Sequence, residues 1–412
     1  MTDENYDIIG YPRLVRLNPN VPWKTRGNGA ISLQIGKGDG GKIPIGEIEN
    51  KKIFCHQDGS SKDIDKARLV VITEEIIDKY AKLEDENTNS GFVLLNEQPS
   101  FETYEKTVRK IVLLDEIEKL LRSYKGFYKG YKNKRGVIGA TASVAWSSKN
   151  DKTFELISYR EKENWGSKRF VDDSSTKQMD KNCFSTFDNF DYGNKHNRLV
   201  PSSPCPVLFG IRGDNEKDLI NARSMIKSEK VDSWLIFETN QGTDDHLQRK
   251  SIAEIHPYDS VIVEGTVCKP PYTLKGGHVI FSIKDPTGSV DCAAYEPTKQ
   301  FRDVIRTLIV GDNLEVYGGV RKKPLTINLE KIYVKHLEKQ VEKMENPVCS
   351  VCGKHMKSKG AGQGYKCKKC GTKSKKPVFK EKKRDIHIGF YEVPVCARRH
   401  LSKPLKRMKN QP

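Results

Sequence analysis

Two Cys-x2-Cys pairs near the C-terminus constrain this chain more than any other feature in it. They lie in CSVCGKHMKSKGAGQGYKCKKCG, with Cys349 and Cys352 as one pair, Cys367 and Cys370 as the other, and fourteen residues between. Each pair turns two thiolates toward one point, and a hairpin of this length returns the second pair to complete a tetrahedron of sulfurs. Four thiolates close the coordination sphere of Zn²⁺, so the expected site is structural and not catalytic. An iron–sulfur cluster is the other group four cysteines can hold, and the polar, lysine-rich setting argues against it. Gly353 and Gly371 follow the pairs, where a knuckle needs a permissive backbone. Lys354, Lys357, Lys359, Lys366, Lys368 and Lys369 make the finger basic.

That basic finger belongs to a wider asymmetry of charge. The 412 residues carry a formal net charge of +18, and from Cys349 to Pro412 nineteen Lys plus Arg face three acidic residues. A cationic end on a nearly neutral body is the footprint of a polyanion binder, most often nucleic acid. The plainer reading is a solvated basic tail. Ten cysteines, four of them in the one constellation, fit a reducing compartment. No apolar run approaches the length needed to cross a bilayer, and MTDENYDIIG has acids but no apolar core of a secretory signal. The expected location is the cytoplasm, and the length allows two to four domains.

Upstream of the finger, period-2 alternation marks short strands at 260–268, 277–284, 288–294, 312–320 and 325–334. Residues 298–309 have a helical period, with Phe301, Val304, Ile305 and Leu308 on one face. Five strands with a helix between the third and fourth describe an OB-fold, a barrel that often holds oligonucleotides. Such barrels stack bases on aromatics and track the backbone with cations, which singles out Tyr272, Tyr295, Tyr317, Arg302, Arg321, Lys322 and Lys323. Phe281 and some of the tyrosines read equally well as barrel core.

The first 255 residues mix helices and strands. Helical periods occur at 74–83 and 105–124, a glycine-punctuated turn leads into an apolar run at 133–146, and 205–226 reads as strand, turn and helix. A strand at 232–239 runs into the polar cluster Thr239, Asn240, Thr243, Asp244, Asp245 and His246. A second cluster, STFDNFDYGNKHNR, offers Asp188 and Asp191. Carboxylates at strand ends can hold Mg²⁺ or a cationic ligand, although ordinary turn chemistry explains them as well. Near the start, VPWKTRGNGA sets Lys24 and Arg26 among Gly27, Asn28 and Gly29. Such a turn lets backbone and cation approach phosphate, without the order of a P-loop.

Taken in order, GYPRLVRLNPNVPWKTRGNGA, SPCPVLFGIRG, FETNQGTDDHL, GGHVIFSI, CAAYEPTKQFR, TINLEKI, the finger and GFYEVPVCARRHLSKPLKRM resemble the archaeal 2-agmatinylcytidine synthetase (agmatidine synthase) family acting on the minor isoleucine tRNA. The resemblance covers essentially the whole chain. It implies a multidomain α+β architecture. A kinase-like α/β catalytic domain, incomplete at its N-terminus, is expected at 1–135, and a ferredoxin-like domain at 136–255. An OB-fold at 256–345, the zinc ribbon at 346–385 and a basic C-terminal tail at 386–412 would follow. Family members open on a strand carrying an Asp-Asp-Thr-Asp-Ser segment of the Mg·ATP site. Here MTDENYDIIGYPRL runs straight into the later block, and the expectation is a start codon placed too late, the other reading being loss of the main metal ligands.

The activity implied is a ligase that replaces the C2 carbonyl oxygen of the wobble cytidine in a CAU anticodon with agmatine, so that AUA is read as isoleucine. ATP would phosphorylate that oxygen, the amine would displace phosphate, and ATP would end as AMP with both terminal phosphates released. By the resemblance, Lys24 and Arg26 act in catalysis with Asp188. Lys24, Arg26, Gly27, Asn28, Gly29 and Arg212 would face ATP or other phosphate. Asp188, Asp191, Thr243, Asp244 and Asp245 are candidates for agmatine or Mg²⁺. Tyr272, Arg302, Arg321, Lys366, Lys368, Lys369, Arg398 and Arg399 would hold the tRNA. ATP, Mg²⁺ and a structural Zn²⁺ are the expected cofactors, tRNA and agmatine the partners, with neither a membrane nor an obligate protein partner. The alternative is a non-catalytic tRNA or single-strand binder built from the barrel and ribbon, which leaves the first 255 residues without a role.

Overall fold

The structure, a computed structural model, describes residues 6–23, 28–60, 64–375 and 378–408. One mixed sheet organises the first half of the chain. Its principal strands are β1 (Asp7–Arg16), β2 (Gly29–Ile48), β3 (Lys51–Ser60), β4 (Thr153–Arg160), β5 (Val207–Gly213) and β6 (Val231–Thr239). They lie in the order β1-β3-β2-β6-β4-β5, with the short strand Thr186–Phe187 beyond β5. β1 also reaches β6 in parallel, Arg13 opposite Glu238 and Leu14 opposite Thr239. The register of β1 against β2 shifts between Ile9 and Arg13, around Pro12, which has no N–H to give a ladder.

Helices α1 (Lys66–Tyr80), α2 (Phe101–Arg109), α3 (Leu114–Ser123), α4 (Gly136–Ala145), α5 (Asp173–Asn182) and α6 (Glu216–Met225) accompany the sheet. The helical period at 105–124 resolves into two helices, because Val112 leaves the helix line to pack with Ile117, Leu121 and Val137. The apolar run at 133–146 is α4, a helix of small residues whose thinness lets it lie close to β2. Ser32 Oγ donates to Ser143 O at 2.9 Å, and Gly139 stands against Leu17. The turn opening α4 contains the expected boundary at 135–136, and the sheet runs across it. α6 begins where Asn215 accepts from the amides of Lys217 and Asp218, closing its first turn.

A five-stranded barrel follows, β7 (Ser260–Thr273), β8 (Val279–Asp285), β9 (Gly288–Ala294), β10 (Asn313–Arg321) and β11 (Thr326–His336), with α7 (Phe301–Arg306) between the third and fourth strands. The order is β7-β8-β9-β11-β10, and β10 pairs back with β7 to close it. Val263, Phe281, Cys292, Ile305, Val316 and Ile332 are among its fully buried core residues. Phe281 is therefore core, whereas Tyr272 is 52% exposed.

The stretch expected as a basic tail is folded over residues 386–408. Its strand β12 (Gly389–Glu392) adds to β11, and Phe390 packs on Tyr333 with ring centroids 4.5 Å apart. Residues 395–407 then run as a strap from the barrel to the first sheet. The zinc-ribbon segment is a small three-stranded sheet at 357–358, 365–366 and 373–374. Gly353 and Gly371 have φ of 68° and 75°, the left-handed conformation the knuckles require. Among the described residues, no helix is long and apolar enough to cross a membrane.

Candidate active site at the sheet edge

The ends of β1, β5 and β6 and the starts of β2 and β4 lie along one edge of the sheet, so the loops that join them converge there. Four features meet at this edge: the glycine turn after β1, the 240–246 loop after β6, Arg212 on β5, and the C-terminal strap. Lys24, Arg26 and Gly27 lie outside the described residues. Asn28 and Gly29 are in place at the neck of the turn, where Asn28 O accepts from Leu17 N at 3.0 Å and Asn28 Nδ2 donates to Asn18 O at 2.6 Å. A cleft of ≈ 630 Å³ opens beside them, between the start of β2, the Asn87–Ser90 loop and the first turn of α4. Trp23 stands at this cleft with the Arg135 guanidinium 5.3 Å from its ring.

Behind the turn is a charged cluster that sequence reading did not single out, apart from Arg212. Glu155 on β4 is buried, with Arg212 Nε at 3.1 Å and Arg16 Nη2 at 3.9 Å. Burial works to raise the Glu155 carboxyl, but Arg212 and Arg16 outweigh it and hold the group below its ordinary range. Gln241 Nε2 donates to Glu155 at 2.5 Å, and its carbonyl oxygen stands 2.8 Å from His400 Nδ1. Arg212 Nη2 stands 3.2 Å from the same Nδ1, so this ring nitrogen faces both an amide oxygen and a guanidinium donor. The charge of Arg16, then loss of water around the ring, then Arg212 push His400 well below the usual imidazole range. The result is two arginines and a neutral imidazole around one carboxylate, a locally cationic patch suited to an anion.

The 240–246 loop is held from every side. Asn240 mimics a strand partner, accepting from Arg16 N at 2.7 Å and donating to Arg16 O at 2.8 Å. Tyr104 on α2 donates to Asp245 at 2.7 Å, and Arg109 Nε donates to Asp245 O at 3.0 Å. Burial lifts the Asp245 carboxyl above its ordinary range despite the Tyr104 bond. Thr243 Oγ1 donates back to Asn240 O at 2.7 Å. Asp244, at φ 65°, takes Lys331 Nζ at 2.6 Å and the Lys403 amide at 2.7 Å. His246 Nε2 lies 3.2 Å from the buried Glu330 on β11.

The other acidic candidates are also engaged. Asp188 pairs with Arg398, which takes Glu392 at 2.5 Å on its other side. Asp191 is buried and accepts from the Cys396 and Asn194 amides, each at 3.0 Å. The structure thus joins Asp188 to Arg398, and Asp244 to the barrel, instead of gathering the aspartates at one point. Among the described residues, only Cys349, Cys352, Cys367 and Cys370 converge as metal ligands, and the four carboxylates do not form a Mg²⁺ cage. The cysteine sulfurs lie within 4.8 Å of one another. Zn–S bonds of about 2.3 Å in a tetrahedron require sulfurs about 3.8 Å apart, so the set fits Zn²⁺.

Of the groups expected on tRNA, Lys366, Lys368 and Lys369 are exposed on the ribbon, and Tyr272 on the barrel. Arg321 is exposed beside Tyr295, its Nη1 3.2 Å from the phenol oxygen. Arg302 is tied inward to Gly277 O at 2.6 Å. Arg398 is buried in its ion pairs, and Arg399 reaches Asn20 and Glu330. The missed residues Glu330 and Lys331 did leave a signal. TINLEKIYV sets two consecutive charges inside an apolar strand, where both faces are covered.

Glu330 has a consequence for acid stability. Burial acts to raise its carboxyl, but His246, Arg399 and Lys331 bring it down to about 2. A depressed carboxyl contributes stability that is complete above the ordinary range near pH 4.5 and is lost as pH falls toward 2. Glu330→Gln is expected to lower stability at pH 7 and to flatten its decline between pH 4.5 and 2, followed by urea unfolding at each pH. An identical pH profile in both proteins would show that Glu330 makes no such contribution.

Three family models match along the chain. They are the TiaS TCKD domain over residues 1–131, the TiaS FLD domain over 134–246, and the TiaS C-terminal zinc ribbon domain over 346–386. The isoleucine-2 tRNA 2-agmatinylcytidine synthetase TiaS of Methanocaldococcus jannaschii is 44% identical over 408 residues, 97% of this chain and 90% of the relative. The chain belongs to the TiaS family. Solved TiaS structures agree. The complex of TiaS with isoleucine-2 tRNA and ATP superposes with a TM-score of 0.83 at 41% identity, covering 98% of this chain and 90% of that one. The complex of TiaS with the same tRNA, AMPCPP and agmatine gives 0.80 at 37% identity with the same coverage. TiaS membership across the sheet, loops and ribbon accounts for the half of the chain that a bare binding module leaves without a role.

Proposed function

We infer that the chain is an ATP-dependent ligase that attaches agmatine to C2 of the wobble cytidine of the minor isoleucine tRNA, so that AUA is read as isoleucine. The observation that carries this is the match over 98% of the chain to a TiaS solved with its isoleucine tRNA and ATP. The chemistry requires activation, because a pyrimidine carbonyl oxygen is a poor leaving group. Transfer of one phosphoryl group from ATP to that oxygen makes it one, and the primary amine of agmatine then attacks C2, loses a proton and expels phosphate. The other terminal phosphoryl group passes to water, so that ATP and water end as AMP and two phosphates.

The residues divide the work as follows. Lys24 and Arg26, in the glycine-rich stretch with Gly27, Asn28 and Gly29, neutralise phosphate. Arg212 with Arg16 adds fixed positive charge at the sheet edge, partly offset by Glu155. His400, held neutral by the charge of Arg16 beside it, adds no third positive charge that would repel the agmatine cation. Asp188, Asp191, Asp244 and Asp245 would have to exchange their present partners to take a guanidinium or Mg²⁺, so we assign them to holding the loops. The barrel reads as an OB-fold by its strand order, with a kinase-like unit before residue 136 and a ferredoxin-like unit after it. Tyr272, Arg321 and the ribbon lysines take tRNA through stacking, phosphate and shape. The wobble base must be splayed out to be modified.

Nucleoside mass spectrometry on a transcript of the minor isoleucine tRNA incubated with the protein, ATP and agmatine tests this. The expected product is cytidine converted to its agmatine adduct only when both small molecules are present. Lys24→Ala or Arg26→Ala is expected to abolish the adduct while tRNA binding is mostly retained. Tight tRNA binding by the unaltered chain with no adduct under any condition would favour the non-catalytic binder.

A further inference from the structure

We propose that Arg399 is a positioning residue that fixes the glycine turn against the barrel, so that the barrel sets where the turn stands at the sheet edge. The contact stands on geometry; its consequence for catalysis rests on the ligase reading above. Arg399 Nη1 donates to Asn20 Oδ1 at 2.7 Å and lies 3.4 Å from Glu330 Oε1. Asn20 Nδ2 in turn donates to Asp259 O and Ser260 Oγ, each at 2.8 Å, at the start of β7. One asparagine of the turn is therefore bonded to the barrel backbone through its amide nitrogen and to the strap through its oxygen.

The barrel is shaped to receive this contact. A Cβ on Gly319 of β10 would stand 2.3 Å from Asn20 Oδ1 and 2.8 Å from Arg399 Nη1, so only glycine admits the pair. Glu330, which takes Arg399 on one oxygen, takes His246 on the other, and the 240–246 loop is thereby referred to the same carboxylate. The next residue of the strap continues the link, since His400 O accepts from Gly242 N at 2.8 Å. The turn thus has a neck on the sheet, at Leu17 and Asn28, and a shoulder on the barrel, at Asn20. A polynucleotide seated on the barrel and a phosphate held by the turn share one mechanical reference.

Full-length Asn20→Ala, Arg399→Gln, Arg399→Lys and Gly319→Ala variants test the assignment with three readouts. These are hydrogen exchange over residues 17–23, affinity for a transcript of the minor isoleucine tRNA, and the single-turnover rate of adduct formation at saturating tRNA, ATP and agmatine. Asn20→Ala and Gly319→Ala are expected to speed exchange in that segment about tenfold. The rate should fall by about 10- to 100-fold, as misplacement of a catalytic element does. Affinity for tRNA should stay within about threefold, the split that separates positioning from binding. Arg399→Lys, which reaches one partner but not both, should fall between wild type and Arg399→Gln. Unchanged exchange in Asn20→Ala would overturn the proposal. So would a normal rate at saturation with weakened affinity, which would make Arg399 a tRNA anchor. If Gly319→Ala unfolds the barrel, Asn20→Ala on the half-exposed turn decides alone. A wild-type chain that forms no adduct would overturn the ligase reading, while the exchange result would still judge the contact.

Discussion

Cys349→Ser is expected to release zinc and unfold the ribbon while the barrel and the first sheet stay folded. The ribbon has almost no other means of support. Its buried apolar cluster consists of Cys349, Met356, Tyr365 and Cys367, with Cys352 partly buried against them, so the ligands themselves make up most of its core. Structural zinc contributes about 10–16 kcal/mol of apparent binding free energy in small zinc domains, far more than such a core supplies. The backbone amides of Val351 and Cys352 lower the Cys349 thiol and so favour the thiolate, the form that binds zinc. Loss of the ribbon should also remove Lys366, Lys368 and Lys369 from the tRNA and reduce the salt dependence of binding. Zinc content by atomic absorption and tRNA affinity across a salt series are the measurements. Full zinc occupancy with unchanged affinity would rule out the structural role of the site.

Lys331→Met should destabilise the union of barrel and sheet by about 3–5 kcal/mol. The ammonium of Lys331 is fully buried, 2.6 Å from Asp244 Oδ2 and 2.8 Å from Lys403 O. Removing it leaves a carboxylate and a carbonyl facing an apolar side chain, and a half-broken buried pair costs more than one never made. On thermal unfolding the loss corresponds to a fall on the order of 10 °C. The double variant Lys331→Met/Asp244→Asn should recover part of it, because asparagine removes the stranded charge and tolerates the positive φ of that position. A Lys331→Met protein as stable as wild type would show that the pair is dispensable.

Both effects rest on contacts of different reach, and reach decided what could be read from the residues. The ribbon was legible because its ligands come in two local knuckles joined by one hairpin. The barrel was legible because period-2 alternation marks strands without reference to distant residues; its five strands and intervening helix lie within a few residues of their expected places. The run at 105–124 was less so, since a helical period does not reveal that Val112 will leave it to fill a neighbouring core. The polar loops around Asp188, Asp191 and residues 243–246 were identified as loops, but their partners were not.

Residue types and spacing by themselves determined the zinc ligands, the barrel strands and the cationic character of the C-terminal end. Tertiary structure alone decided which charges face solvent and which face one another. Arg398 and Arg399 read as free cations on a tail until the strap folds back. There Arg398 meets Asp188, and Arg399 meets Asn20, 379 positions away. Glu330 and Lys331 lie side by side in an apolar strand, and only a loop from another sheet brings Asp244 and His246 to them. The physical reason is that the fate of a charge depends on its dielectric surroundings and its partner, and both are supplied here by segments far apart in the chain.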